Sequence, residues 1–186
     1  NFLKKYPDID FYISLEGELG FVDLVHKLED QGFDIAGLKK QSIGCLNTSY
    51  ITENELIDGP VERVKDINQI PSPYLTGILD PFFDLSLAPM FETTRGCPFS
   101  CSFCADGIQV KSKIKRFDDG RTREELQYIA KRIKHSDEII ITDLNFGMYK
   151  QDLITSKLIA ELQAKEGWPL LVKASAGKNK SERVIE

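Results

Sequence analysis

The sequence predicts an α/β protein whose second half is built from parallel strands joined by helical crossovers. Apolar runs of strand length recur at Met90–Thr93, Glu138–Asp143 and Leu170–Lys173. Each gap between them holds a stretch with the i, i+3, i+4 apolar spacing of a helix. The resulting order of strand, loop, helix, strand, helix, strand implies parallel pairing, since parallel neighbours need a crossover and antiparallel ones do not.

The elements follow from the N-terminus. Ile9–Ser14 is an apolar, strand-like run, and Leu15–Gly20 is a turn with two glycines. Phe21, Leu24, Val25 and Leu28 then form one apolar helix face that ends near Gly32. Strand, glycine turn and helix make half of a βαβ unit. From Phe33 to about Leu87 the pattern weakens. Ser42–Leu46 and Pro60–Val64 are expected to pair as a small hairpin, with Asn54–Gly59 between them. Ile70–Tyr74 and Asp80–Phe83 are broken by prolines and cannot continue a regular element. Tyr74, Leu75, Ile78, Leu79, Phe82 and Phe83 imply that this linker packs on a neighbour.

Met90–Thr93 reads as a short strand with a cysteine-rich loop after its C-terminal end. A helix is expected from the capping box Thr122-Arg123-Glu124-Glu125, with Leu126, Ile129, Ala130 and Ile133 on its apolar face. Glu138–Asp143 is a buried strand with Leu144–Gly147 at its end, and a helix covers about Lys150 to Ala164 with Ile154, Leu158 and Leu162 aligned. Pro169 stops that helix and Leu170–Lys173 begins another strand. Parallel βα units that carry loops at the strand ends fit a TIM-type barrel, of which this length supplies about half. The expected divisions are 1–40, a linker 41–86 with the hairpin, and 87–186.

Composition narrows the function. The 186 residues carry a net charge of −5 with mixed signs, which argues against a nucleic-acid-binding surface because phosphate contacts need a basic stripe. The basic residues from Lys111 to Arg123 are the nearest approach, and a solvated loop leading into a helix accounts for them. No apolar stretch is long enough to span a bilayer, and Asn1–Pro7 lacks a signal-peptide hydrophobic region. The expected location is cytoplasmic, where thiols stay reduced. The chain opens on Asn1 and closes on Ser181–Glu186, which reads as the start of a helix, so a piece of a longer protein is expected.

Three of the four cysteines, Cys97, Cys101 and Cys104, fall within eight residues as C-x3-C-x2-C. Thiolates at that density hold a soft metal centre more often than they form bridges. Structural zinc wants four ligands. The remaining candidates are Cys45, far upstream, and His26 and His135 in helical contexts. Zinc and disulfides stay open as minor alternatives. A 4Fe–4S cluster on three cysteines would leave one iron open to a small ligand.

With Phe103 just before the last cysteine, Cys97-x3-Cys101-Ser102-Phe103-Cys104 resembles the loop of the radical S-adenosylmethionine (SAM) enzymes. The resemblance implies that Cys97, Cys101 and Cys104 hold the cluster, that SAM chelates the open iron through its amino and carboxylate groups, and that reductive cleavage yields a 5'-deoxyadenosyl radical. It places Phe103 against the adenine, although core packing suits an aromatic there equally well. The family's glycine-glycine-glutamate motif is absent. Thr142-Asp143-Leu144-Asn145-Phe146 instead resembles the Asp-x-Asn-Phe variant of cobalamin-associated members, implying that Asp143 accepts hydrogen bonds from the SAM ammonium with Asn145 in support; a turn-capping role is the alternative.

Glu16-Gly17-Glu18 and the Ile70–Tyr74 bridge resemble the end of the cobalamin-binding domain that precedes the barrel in such proteins, which implies the tail of a flavodoxin-like domain and adds cobalamin to the expected cofactors. The Asp-x-His-x-x-Gly cobalamin motif does not occur. Lys173, Ser175 and Gly177–Lys180 are expected after the last strand, where a solvated turn explains them better than an acidic substrate; Val172 stands where a phosphate loop needs glycine.

The implied activity is radical methylation on a small-molecule or unknown substrate, with an electron donor such as flavodoxin or ferredoxin. Methylthio transfer or a radical rearrangement is the alternative within the class. A non-catalytic iron–sulfur electron-transfer or binding protein is the alternative outside it.

Overall fold

The computed structural model describes residues 2–53, 55–177, 179 and 182. The helix start expected at Ser181–Glu186 lies outside the described residues except for Glu182, as do Lys178 and Lys180. The chain forms two compact units, Asn1–Lys65 and Asp66–Glu186. The sequence placed its divisions after residues 40 and 86, so the stretch expected as a linker is shared between the units.

The first unit contains α1 (Phe2–Lys5), β1 (Tyr12–Ile13), α2 (Gly17–Asp30), α3 (Ile35–Lys40), β2 (Thr48–Thr52) and β3 (Glu55–Asp58). Its strands form an antiparallel sheet in the order β1-β2-β3. The strand pairing described in this unit is therefore not that of a parallel, flavodoxin-like sheet. A hairpin is present, but its strands are β2 and β3, with Tyr50 opposite Ile57. The strands expected at Ser42–Leu46 and Pro60–Val64 instead flank it as irregular chain. Turn chemistry explains the shift. Asn47 adopts a φ of 52°, which its short polar side chain tolerates. Its Nδ2 donates to the Glu62 carbonyl at 2.8 Å, and its Oδ1 accepts from Glu62 N at 2.8 Å.

Leu24, Leu38, Cys45 and Tyr50 form the core of this unit, with Phe11, Ile13, Leu28, Ile43 and Ile57 packed against them. Phe21, expected on the buried face of α2, is exposed. Glu16 stands at the N-cap of α2 and is buried in a salt bridge to Arg63 at 2.7 Å, so the acidic turn here serves as a tie within the unit.

The second unit contains β4 (Met90–Phe91), β5 (Thr94–Arg95), β6 (Lys115–Arg116), α4 (Asp119–Ala130), β7 (Glu138–Phe146), α5 (Asp152–Glu166) and β8 (Leu171–Ala176). Its main sheet has the order β4-β7-β8 and is parallel throughout, with α4 and α5 in the crossovers. Leu126 and Ile129 from α4 and Leu158 from α5 meet Phe91, Ile139 and Ile141 of the strands, with Leu162 partly buried against them, whereas Ile154, expected on the same face of α5, is exposed. The proline-punctuated segment joins this core through Tyr74 and Phe83, while Leu75, Ile78 and Phe82 stay exposed. The Tyr74 hydroxyl donates to the Met90 carbonyl at 2.6 Å, and burial pushes its pKa to about 12, so it remains a donor.

Three boundaries differ from the expectation. The helix α4 begins at Asp119, so Thr122 lies in its second turn and is not its cap. The strand β7 runs on from Asp143 to Phe146, which puts Asn145 on the strand instead of in the loop after it. The strand β8 likewise takes in Lys173 and Ser175, expected beyond its end.

The packing makes Leu126 a sensitive position, since its side chain is fully buried between α4 and the sheet. Leu126→Ala should destabilise the chain by about 2–5 kcal/mol. Urea denaturation of the 186-residue chain followed by circular dichroism checks this; a change under about 1 kcal/mol would mean the helix is loosely docked.

Candidate functional site

The cysteine loop leaves the C-terminal end of β4 and is closed by its own ribbon. The strands β5 and β6 pair antiparallel, Thr94 opposite Arg116 and Arg95 opposite Lys115, so the two ends of the loop are bonded to each other. Inside it, Cys97 N donates to Lys111 O at 3.0 Å, Cys104 N to Cys101 O at 3.1 Å and Gly107 N to Cys104 O at 3.1 Å. These turns are tight enough to require glycine. Gly96 has a φ of +111°, and a Cβ there would lie 2.7 Å from the Lys113 carbonyl oxygen. A Cβ on Gly107 would lie 2.4 Å from the Cys101 carbonyl oxygen.

Cys97 is buried, and Cys101 and Cys104 are partly exposed. Cys45 is enclosed in the core of the first unit, with Sγ 3.6 Å from the Ile43 carbonyl, and burial pushes its pKa up. It behaves there as a small core side chain. His26 and His135 are exposed. Among the described residues no three His, Cys, Asp or Glu side chains converge on a point that would enclose one metal ion. Thiolates that each bind a different iron of a cubane need no such point, so three cysteines on one loop fit an iron–sulfur cluster better than zinc.

Phe103 is 88% exposed, which removes core packing as its role. An exposed aromatic ring on the cysteine loop has a face on which a flat group can stack.

Asp143 and Asn145 both come from β7 and face the loop, with one residue between them as strand geometry requires. They do different work. The Asp143 carboxylate, 2% exposed, accepts from Thr93 N at 2.7 Å, from Thr94 N at 3.0 Å and from the Thr93 hydroxyl. It thereby pins the chain between β4 and β5, the stretch that launches the cysteine loop. Asn145 donates from Nδ2 to Cys97 Sγ at 3.3 Å. Its Oδ1 is buried and has no hydrogen-bond partner. A buried carbonyl oxygen without a donor is costly, so its retention points to a ligand that supplies one.

Four residues that sequence reasoning did not single out complete the arrangement. Arg116 donates to Thr94 Oγ1 at 2.6 Å and to Asp152 Oδ1 at 3.0 Å. Asp152 also accepts from Gly147 N and Tyr149 N, both at 2.9 Å. Thr94, Arg116, Asp152 and Tyr149 thus link the ribbon under the loop to the turn after β7. The one signal for them was an acid at the start of a helix that follows a glycine turn, which marks a capping partner. Three further basic residues of the 111–123 stretch form ion pairs: Lys111 with Asp106 at 2.5 Å, Arg121 with Glu125 at 2.9 Å and Arg123 of α4 with Glu161 of α5 at 4.0 Å.

Burial pushes the Asp143 pKa up, and its hydrogen bonds to Thr93 and Thr94 only partly offset this. A carboxyl whose folded-state pKa lies above the unfolded value binds more protons when folded. Its stabilising contribution is present in full below the ordinary carboxylate pKa and is lost as pH rises through the raised value. Asp143→Asn keeps an oxygen for the two backbone donors and should flatten that fall in stability. Asp143→Ala strands both donors and should cost about 2–4 kcal/mol at neutral pH. Denaturation curves of the three proteins across the acid range check both expectations.

No family model matches the chain. Along its whole length it is 31% identical to the 2-(S-pantetheinyl)-carbapenam-3-carboxylate methyltransferase of Streptantibioticus cattleyicolor. It is 30% identical to the cobalamin-dependent radical SAM methyltransferase TokK of Streptomyces tokunonensis. An uncharacterized methyltransferase of Pyrococcus horikoshii is 27% identical over 144 residues, 73% of this chain and 30% of that protein. The chain spans 27% of the length of each of the first two relatives. Its structure is similar to that of the cobalamin-dependent SAM radical enzyme OxsB with aqua-cobalamin and SAM bound, with a TM-score of 0.57 and 25% identity over 88% of this chain and 22% of that one. The form with aqua-cobalamin alone gives a TM-score of 0.58 and 26% identity. The chain therefore belongs to the radical SAM superfamily of enzymes, matching a piece of its cobalamin-dependent members.

Proposed function

We propose that the chain carries the radical-generating part of a cobalamin-dependent radical SAM methyltransferase. The observation that carries this reading is the unpartnered Asn145 Oδ1 held beside Cys97. Cys97, Cys101 and Cys104 hold a 4Fe–4S cluster, and Asn145 Oδ1 accepts a hydrogen bond from the ammonium of SAM. Asp143 has three of its acceptor positions filled by Thr93 and Thr94, so its main task is to position the loop, with one Oδ2 lone pair left to face the ammonium. Phe103 covers the adenine. In this reading the parallel strands of the second unit belong to a TIM-type barrel with the site at the C-terminal ends of its strands. The first unit is the end of the cobalamin-binding domain.

When bound, the cluster and SAM supply a 5'-deoxyadenosyl radical, and cobalamin supplies the methyl group. The protein's own contributions are positional. The β5–β6 ribbon closes the loop, Asn145 orients Cys97 through its amide, and the buried floor of Asp143 and Asn145 keeps water from that side of the site. An external electron donor such as flavodoxin or ferredoxin, met in a reducing compartment such as the cytoplasm, delivers the electron. No helix among the described residues is long and apolar enough to cross a membrane.

The test is anaerobic reconstitution of the complete gene product, followed by reduction, addition of SAM and assay for 5'-deoxyadenosine. Wild type should form it, and alanine at Cys97, Cys101 or Cys104 should lower the yield at least about 100-fold, because the cluster depends on all three thiolates. A protein that takes up iron and sulfide yet leaves SAM intact would contradict the reading. Phe103→Ala should raise the KM for SAM about three- to tenfold with little change in kcat, the worth of one aromatic contact.

A further inference from the structure

The turn after β7 presents a second unsatisfied group. The Tyr149 hydroxyl is buried with no hydrogen-bond partner, a condition that buried hydroxyls seldom keep. Its backbone is fixed by the bond from Tyr149 N to Asp152 Oδ2 at 2.9 Å. Its ring is held beside the Arg116 guanidinium, 5.7 Å from the ring centroid, and Arg116 is itself tied to Thr94 and Asp152. The hydroxyl is therefore kept in place by its surroundings without being satisfied by them.

It lies four residues beyond the Asn145 orphan, in the turn that follows the same strand. Asn145 touches Cys97 directly, and Tyr149 lies close enough to Cys97, Asp152 and Asp143 for their charges to act on its hydroxyl. Burial first, and then Cys97 and Asp152, push the Tyr149 pKa up, so the hydroxyl keeps its proton. The two unsatisfied groups are complementary. Asn145 Oδ1 can only accept a hydrogen bond, while the protonated Tyr149 hydroxyl can donate one. An unsatisfied acceptor at the end of β7 and an unsatisfied donor in the turn after it suit a ligand that bears an ammonium and a carboxylate on the same carbon.

We infer that Tyr149 is a second anchor for the amino-acid end of SAM, its hydroxyl donating to a carboxylate oxygen while Asn145 Oδ1 receives the ammonium. This rests on the assignment of SAM to the site.

Tyr149→Phe removes the donor and leaves the ring. The experiment measures dissociation constants of the anaerobically reconstituted complete protein for SAM and for decarboxylated SAM, which lacks only the carboxylate. Iron content and thermal stability are recorded alongside. Tyr149→Phe should weaken SAM about tenfold or more, as expected for a hydrogen bond to a charged group. Decarboxylated SAM should bind both proteins alike, with iron content unchanged and stability the same or higher, because an unpartnered buried hydroxyl is lost. Equal SAM affinity in both proteins, an equal loss for both ligands, or loss of iron would each overturn the role of Tyr149. A wild type that binds its cluster but not SAM would overturn the SAM assignment itself, and the inference with it.

Discussion

The site depends on one carboxylate. Asp143 sits on the central strand of a parallel sheet, toward its C-terminal end and removed from water, and receives the backbone N–H groups of Thr93 and Thr94 where the chain leaves β4. Those two donors lack partners in the main sheet because β4 ends at Phe91. Without an acceptor from the neighbouring strand, the segment leading into the cysteines would carry buried, unsatisfied groups and would move outward to water. The cost is a desolvated acid. It is offset by hydrogen bonds and repaid in geometry, since the cysteine loop then starts from a fixed point.

From that point the arrangement spreads through short-range contacts. The β5–β6 ribbon returns the loop to its origin, so its length adds little freedom. Arg116 on that ribbon reaches Asp152, and Asp152 holds the turn after β7 through the Gly147 and Tyr149 amides. Asn145 closes the circuit by donating to Cys97. Two of the elements that bracket the site are thus joined by side chains instead of by extra sheet. The ends of the parallel strands are held still in this way without being covered by further sheet.

Much of this was legible in the sequence because periodicity reports burial. Leu126, Ile129 and Leu158 fell on the predicted faces and are buried there, and the alternation of strands and helices gave the parallel order β4-β7-β8. The cysteine spacing pointed to the radical SAM family that the relatives share. What misled was local. Thr122 to Glu125 has the form of a capping box, yet Thr122 is buried and its amide bonds to the Asp118 carbonyl, because the helix starts earlier in an acidic turn with low propensity signals. The end of β7 was placed too early, at Asp143, because Asn145 is a poor strand former; its hydrogen bond to Cys97 accompanies the longer strand. The hairpin was displaced by the Asn47 bonds to Glu62, a long-range pairing with no sequence signature. Tyr149 and Arg116 were invisible for the same reason: nothing in the order of residues says that residues 94, 116, 149 and 152 meet.

The central claim is that the three-cysteine loop leaves one iron for SAM, with Asn145 receiving its ammonium. Electron paramagnetic resonance of the reduced, reconstituted complete protein tests it most directly, with SAM carrying nitrogen-15 in its amino group. The account predicts a cluster signal that changes on adding SAM, nitrogen-15 hyperfine coupling in the wild type, and a weaker apparent SAM affinity by about tenfold in Asn145→Ala. A reduced cluster whose signal is indifferent to SAM at saturating concentration would contradict it, and would leave the loop as the holder of an electron-transfer centre.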